Sequence, residues 1–483
     1  MRKKLFFTKV VQMASSFLIF NISGLLYNIY ISRKMGSMGV GIFSLTMNVY
    51  SIGISFSVSA MGLTCTRLLA EKPVNQGYVQ SLHIIKRCLF ICLLTSAVTS
   101  VTMFFASDFI AENLIGDKGC STGIKILSPT LFCVGISSVF GGFFTAFAKV
   151  KECFISQLLS ESVSWGLTLL FIERFPSDKT YLSIIISSAC ASVVRVLSDV
   201  FLFILTVRCH IQKKGDTKIS DVIRLCVPLA LGSYLRTGLS GIENFLIPKR
   251  LSGGGDKKSI ETYGKIKGMS MGIVMFPAVL ISAFSALLVP EISRRHFGGE
   301  RKSIAYISSL TMEYTLKFSF LISCILFFWG YDISSFFYPE KNVGEYIKYL
   351  SFLPVFLFTD SVCDAILKGL DEQVYSLKLN TSDSCLRNIF IFFALPLLKE
   401  KGYIMILYIS EIFNLSFSFH RMKKRTALKF PFGKAVLIPI VSLVFGKYVI
   451  SILPRIQTIF EILIFCGTYV TISEFLSEFK KTI

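Results

Sequence analysis

Charged and amide side chains recur inside the long apolar runs of this 483-residue sequence, and each offers a definite chemistry. Arg236 stands in one such run with no carboxylate four residues to either side, and Glu243 follows seven residues on, near the same helical face. A guanidinium matches the paired oxygens of a phosphate, which makes Arg236 the first candidate for contacting an anionic substrate. The alternative is an arginine that snorkels to the near membrane face. Arg195 with Asp199, and Asp383 with Arg387, are spaced four apart. That spacing allows an ion pair along one helix or, in a water-filled cavity, two more guanidinium contacts for the anion. Lys317 has Glu313 four residues before it and reads as a structural pair. Oxygen ligands come from Glu243, Asn244, Asn380, Asp383, Glu411 and Asn414. Such oxygens could coordinate Na⁺ or carry a proton, or they could hydrogen-bond helix to helix. Asp360 and Asp364 form a further pair with no assigned partner, and Glu161 stands by itself.

These residues are costly where they stand because of the composition around them. The chain is 53% hydrophobic and 17% charged, with a mean hydropathy of +0.63. Soluble domains carry roughly 25% charged residues. Apolar runs flanked by charge recur from Phe6 to Ile472 and are long enough to cross a bilayer. A soluble enzyme, a transcription factor, a secreted disulfide scaffold and a disordered chain are excluded. No connection is long enough for a folded soluble domain, so any chemistry sits on membrane helices or at the two membrane faces. The thirteen cysteines include no CxxC pair, and the four histidines are scattered, so no metal site is expected.

The pattern predicts an all-α integral membrane protein with about 14 transmembrane helices. Ser16-Phe17-Leu18, Ser23-Gly24-Leu25 and Arg33 overlay Ser233-Tyr234-Leu235, Ser240-Gly241-Ile242 and Arg250 at a constant offset of 217 residues. That repeat implies two six-helix lobes, 1–210 and 211–425, in a parallel pseudo-repeat, followed by two additional helices in 426–483. The opening Met1-Arg2-Lys3-Lys4 with its apolar run lacks a cleavage site and reads as an uncleaved first span. The net charge of +21 reflects topology rather than nucleic-acid binding. With an inner amino terminus, inner segments hold 29 Lys and Arg and outer segments 18, so both termini are expected in the cytoplasm. Only the Lys249–Lys267 connection breaks that bias. Gly264, Gly268, Gly272, Pro277 and Pro290 make the eighth span bendable, with Gly268, Pro277 and Pro290 as candidate gating positions or as packing features.

Three stretches carry a family resemblance. The most specific runs from Glu243-Asn244-Phe245-Leu246-Ile247-Pro248-Lys249-Arg250-Leu251 through Tyr263-Gly264, Gly268-Met269 and Phe276-Pro277 to Ser285-Ala286-Leu287-Leu288-Val289-Pro290-Glu291. The others are Gly36-Ser37-Met38-Gly39-Val40-Gly41-Ile42-Phe43 with Arg67-Leu68-Leu69-Ala70-Glu71, and Gly402-Tyr403 with Ser410-Glu411-Ile412-Phe413-Asn414. Together they resemble the stage V sporulation protein B family, within the multidrug/oligosaccharidyl-lipid/polysaccharide flippase superfamily. The resemblance implies fourteen helices, a central cavity, alternating access, and polyprenyl-diphosphate-linked sugars as substrates. It also implies a cation site among the seventh, eleventh and twelfth helices, where Glu243, Asn244, Asp383 and Glu411 fall. Asn21 and Asn28 stand where relatives carry basic first-helix residues, and no proline occurs around Gly62.

The expected function is therefore a lipid-linked oligosaccharide flippase of a bacterial cytoplasmic membrane, not an enzyme. Its diphosphate contacts would be Arg236, Arg387 and Arg195, with Na⁺ or H⁺ as a coupling ion and no other cofactor. The expected partners are the lipid-linked glycan and the phospholipid bilayer, and the chain is expected to act as a monomer. A drug/cation antiporter of the same superfamily and a non-transporting scaffold for envelope synthesis are the competing readings. An intramembrane glycosyltransferase lacks its large outer loop here.

Overall fold

The computed structural model describes residues 2–58, 60–70, 77–117, 119–147, 149–175, 180–207, 219–251, 257–340, 342–426, 439–445, 447–449 and 458–482. Every regular element among them is a helix and none is a strand. Helical structure follows from the setting, since a span in hydrocarbon must satisfy its own backbone hydrogen bonds. Hydroxyls follow the same rule. Thr46 Oγ1 donates to the Ile42 carbonyl at 2.9 Å and Thr99 Oγ1 to the Thr95 carbonyl at 2.8 Å, so these buried or half-buried groups need no partner on another helix.

Contacts divide the chain into two compact units, Met1–Lys9 with Lys34–Gly264, and Val10–Arg33 with Lys265–Ile483. These bounds differ from lobes drawn at residue 210 on the sequence repeat. The Ile219–Leu251 helix belongs to the first unit because Val222, Cys226 and Ala230 join the core built by Met61, Cys65, Ile84, Val139 and Phe143.

The Arg2–Val58 helix, whose residues from Lys34 on belong to the first unit, is broken at Gly36, whose φ of 65° is open to glycine at little steric cost. Then follow Met61–Ala70, Gly77–Phe105, Gly119–Leu127 bent into Thr130–Ala146, Val150–Phe171, Thr180–Val207, Ile219–Leu251 and Lys257–Tyr263. Just past the break, Gly41 and Gly264 let two backbones touch. A Cβ on Gly264 would lie 2.2 Å from the Ser37 carbonyl oxygen, and one on Gly41 would lie 2.3 Å from that of Ile260. Because both obstacles are backbone atoms, no rotamer change relieves them. Gly264→Val should therefore destabilise the protein by about 3 kcal/mol, seen as a lowered melting midpoint in detergent. An unchanged midpoint would mean the crossing is loose.

The second unit holds Ala278–Phe297, Arg301–Phe337, Asn342–Leu350 bent into Leu353–Gly369, Gln373–Thr426 and Thr458–Thr482. Gln373–Thr426 turns at Lys399, between the residues expected to form the eleventh and twelfth spans. Its main core contains Ile281, Leu288, Ile292, Met312, Phe358, Val362 and Met422. A second cluster joins Trp329 to Phe465 and Tyr469, with Trp329 Nε1 donating to Glu461 Oε2 at 3.0 Å. The bend in the expected eighth span falls at Pro277. Lys257–Met275 and Ala278–Phe297 meet there at 56°, whereas Pro290 is carried inside a continuous helix. Gly268 lies in a π-helical stretch, Gly264–Ser270.

Among the described residues, four helices are long and apolar enough to cross a membrane: Ser23–Leu69, Leu82–Phe105, Thr180–Thr206 and Arg301–Phe337. Counting each bent pair as one span raises the number among the described residues to seven. The figure is below fourteen for a physical reason. Helices such as Val150–Phe171, with Lys151, Glu152 and Glu161, or Gln373–Thr426, with Asp383 and Arg387, have their apolar runs interrupted by charge. Of the expected thirteenth span, 435–453, residues 439–445 and 447–449 are among the described residues and the rest lie outside them. Large apolar side chains such as Phe105 and Leu397, 79% and 83% exposed, point away from the core, as hydrocarbon-facing residues do.

Candidate functional site

Polar residues inside the helices occur in both units. In the first unit, Asn244 is half-buried in a network that crosses three segments. Its Nδ2 donates to Asn48 Oδ1 at 3.1 Å, and Tyr263 Oη donates to its Oδ1 at 3.1 Å. Asn244 therefore ties helix to helix, the bland alternative for the oxygen ligands. Glu243 beside it is 5% exposed. Tyr263 and Asn48 escaped sequence reasoning because they reach Asn244 from elsewhere in the chain, a relation that no local spacing records.

Arg195 and Asp199 do not form the helical ion pair that their spacing allows. Asp199 is 3% exposed and packs against Ser137 and Ser156 on the neighbouring helices, with Oδ2 lacking a hydrogen-bond partner. Arg195 stays half-buried, and its backbone carbonyl lies 3.5 Å from Ser156 Oγ. Burial of the carboxylate among hydroxyls has won over the i,i+4 contact. Arg236 is exposed on the Ile219–Leu251 helix and, among the described residues, has no ion pair or side-chain hydrogen bond.

In the second unit, the Asp383–Arg387 pair is formed. Arg387 Nη2 donates to Asp383 Oδ2 at 2.6 Å and its Nε to Ser410 Oγ at 3.0 Å, while Ser410 Oγ donates to Asp383 Oδ1 at 2.5 Å. Asp383 is 2% and Arg387 18% exposed by side chain, so this closed triangle sits in the core. Nearby, Asp360 keeps one buried oxygen, Oδ1, without a partner, as does Asn414 Oδ1. Asp364 pairs with Lys368 at 2.6 Å and accepts a bond from Ser376. Glu411 is half-buried beside Ser410. Lys317 and Glu313 pair at 3.2 Å, as expected.

Of the four residues expected at one cation site, Glu243 and Asn244 belong to the first unit and Asp383 and Glu411 to the second. Among the described residues, no three His, Cys, Asp or Glu side chains converge as metal ligands.

At the end of the second unit, Glu372 lies in the turn before Gln373 and receives Arg421 at 2.9 Å and also Arg425. Burial pushes its carboxyl up, but the hydrogen bonds and charge of the two arginines outweigh burial and hold it below the ordinary 4.5. A depressed carboxylate contributes stability above its unfolded value and loses it as pH falls through the folded one. Wild type and Glu372→Gln should thus differ in melting midpoint at pH 7 and converge in acid. A gap that persists at low pH would show that the carboxylate charge is not the cause.

The polysaccharide biosynthesis protein family model matches residues 6–296. Stage V sporulation protein B of Bacillus subtilis (strain 168) is 19% identical over 386 residues, covering 77% of this chain and 74% of that one. Lipid II flippase MurJ of the same organism is 20% identical over 475 residues, covering 89% and 85%. A solved lipid II flippase MurJ in an inward closed conformation superimposes with a TM-score of 0.75 at 15% identity, covering 97% of this chain and 99% of the other. The structure thus has a transporter fold shared with MurJ, and the relatives are flippases and transporters rather than enzymes. Its placement is that of a multi-pass membrane protein. By a match that covers more than half of its length, the chain belongs to the polysaccharide biosynthesis protein family.

Proposed function

We propose that the protein is a flippase for lipid-linked oligosaccharides, moving polyprenyl-diphosphate-linked cell-wall or polysaccharide precursors across the cytoplasmic membrane by alternating access. The observation that carries this reading is Arg236, an exposed guanidinium on a membrane helix with no ion pair among the described residues. A cation in that position is expensive unless an anion or water meets it, and a diphosphate presents the matching oxygens. Arg195, half-buried and not paired to Asp199, is a second contact for the headgroup. Arg387 reaches substrate only by exchanging Asp383 and Ser410, which makes it the contact most sensitive to conformation. Fourteen spans with both termini in the cytoplasm complete the proposal, and the named relatives support it.

The buried carboxyls Asp199 and Asp383 and the half-buried Asp360 favour one second reading, a drug/cation antiporter, because a proton or Na⁺ can compensate a carboxylate in hydrocarbon. Transbilayer movement of a fluorescent undecaprenyl-diphosphate-sugar in proteoliposomes decides between the readings. Protein-dependent movement supports the flippase. Its absence, with drug-driven proton or Na⁺ exchange present, supports the antiporter.

A further inference from the structure

One end of the second unit gathers cations that the internal network does not use. Ile292, Ile304, Ile366, Leu370 and Met422 share one core cluster, and a Cβ on Gly369 would lie 2.7 Å from Ile292 Cβ. The segments 294–302, 368–372 and 421–425 therefore surround the same end of that core. Four carboxylates there are engaged. Glu291 holds Arg294 and Arg295, Glu300 reaches Arg295, Asp364 holds Lys368, and Glu372 holds Arg421 and Arg425. Asp371, in a turn with φ 64°, is the remaining acid. Opposite it in charge stand Arg301, Lys302, Lys423 and Lys424, all exposed and, among the described residues, in no ion pair.

Two further observations give this patch a chemistry. The 37-residue Arg301–Phe337 helix starts here; Glu300 at its N-cap makes no side-chain cap and the Arg301 amide donates to the Gly299 carbonyl, so the amides of Lys302 and Ser303 and the positive dipole end favour an anion. Phe297, 82% exposed, projects beside them. A free phosphate gains nothing from an exposed phenyl ring. A phospholipid satisfies both, with its phosphate on the cations and its acyl region against the ring.

We propose that Arg301, Lys302, Lys423 and Lys424, with the start of the Arg301–Phe337 helix and Phe297, form a docking surface for the headgroup phosphate of an anionic phospholipid. The inference rests on the chain spanning a bilayer. It does not depend on which glycan, if any, is carried.

The test uses the full chain in neutral detergent, titrated with fluorescent phosphatidylglycerol or phosphatidylcholine. Phosphatidylglycerol should bind about tenfold tighter or better, and raised salt should erase the preference. The R301Q/K302Q/K423Q/K424Q variant, checked by its lipid-free melting midpoint, should bind both lipids alike. Phe297→Ala should weaken phosphatidylglycerol binding without removing the preference. No preference in the wild type, or a preference that survives either salt or the fourfold substitution, would overturn the proposal. Competition by inorganic phosphate at the lipid's own affinity would reassign the patch to a free anion and overturn it as well. If the fourfold variant fails to fold, the salt dependence of the wild type decides. No glycan enters this experiment, so its failure is distinct from failure of the flippase reading.

Discussion

Replacing Arg236 by alanine should slow transbilayer movement of a fluorescent undecaprenyl-diphosphate-sugar by about 10- to 100-fold while leaving the protein folded in the membrane. The magnitude follows from losing one charge-assisted hydrogen-bonding group, worth about 1.5–3 kcal/mol when the partner is ionised. The prediction of intact folding follows from the surroundings. Arg236 is exposed and holds no ion pair among the described residues, so truncation leaves no buried partner stranded. Arg236→Lys should fall between the two, because it keeps the charge and loses the two-pronged fork. The readout is initial flipping rate in proteoliposomes at matched protein density. A wild-type rate in the alanine variant would remove Arg236 from the substrate path, while the movement itself would still support a flippase that holds its headgroup elsewhere. The antiporter reading predicts a different pattern. There, Arg236→Ala would leave exchange intact, and neutralising Asp383 or Asp360 would abolish it.

The second large effect concerns stability. Asp383→Leu should lower the unfolding free energy by about 3 kcal/mol, because it strands the Arg387 guanidinium, 18% exposed, in a low-dielectric interior. Removing both charges with Asp383→Leu and Arg387→Met should recover most of that loss. A buried ion pair is worth little against a well-packed apolar pair, but half of one is costly. Ser410→Ala should cost about 1 kcal/mol, since the hydroxyl bridges the two and each retains the other. Melting midpoints of the three variants in one detergent measure all of this. If the single and double variants melt alike, the triangle is not what holds these segments together. If the double variant folds but does not transport, Arg387 or Asp383 acts in the cycle beyond packing. That outcome separates the structural role of the pair from the proposed functional one.

The sequence by itself determined the class of protein and much of what lies along single helices. Apolar runs flanked by charge could only be membrane helices, because hydrocarbon tolerates no unpaired backbone. A proline lacks the donor that would continue a helix, so Pro277 marked the bend that the structure places there at 56°. Pro290, read from the same rule, stays inside the continuous Ala278–Phe297 helix, because neighbouring packing decides whether a freed carbonyl opens the helix. The spacing of Asp383 and Arg387, and of Glu313 and Lys317, gave true ion pairs, since residues four apart share a helical face.

The same spacing gave nothing for Arg195 and Asp199, and that difference was decided in three dimensions. Asp199 packs against Ser137 and Ser156 on other helices, so its best neighbours are far away in sequence. Ser410 closing the Asp383–Arg387 triangle, Asn48 and Tyr263 satisfying Asn244, and Gly264 lying against the Ser37 carbonyl are likewise long-range events. Only the tertiary structure also joined the Ile219–Leu251 helix to the first unit. The physical reason is common to all of them. Helical periodicity fixes which residues share a face, whereas the choice of partner for a polar group depends on which other helix that face meets.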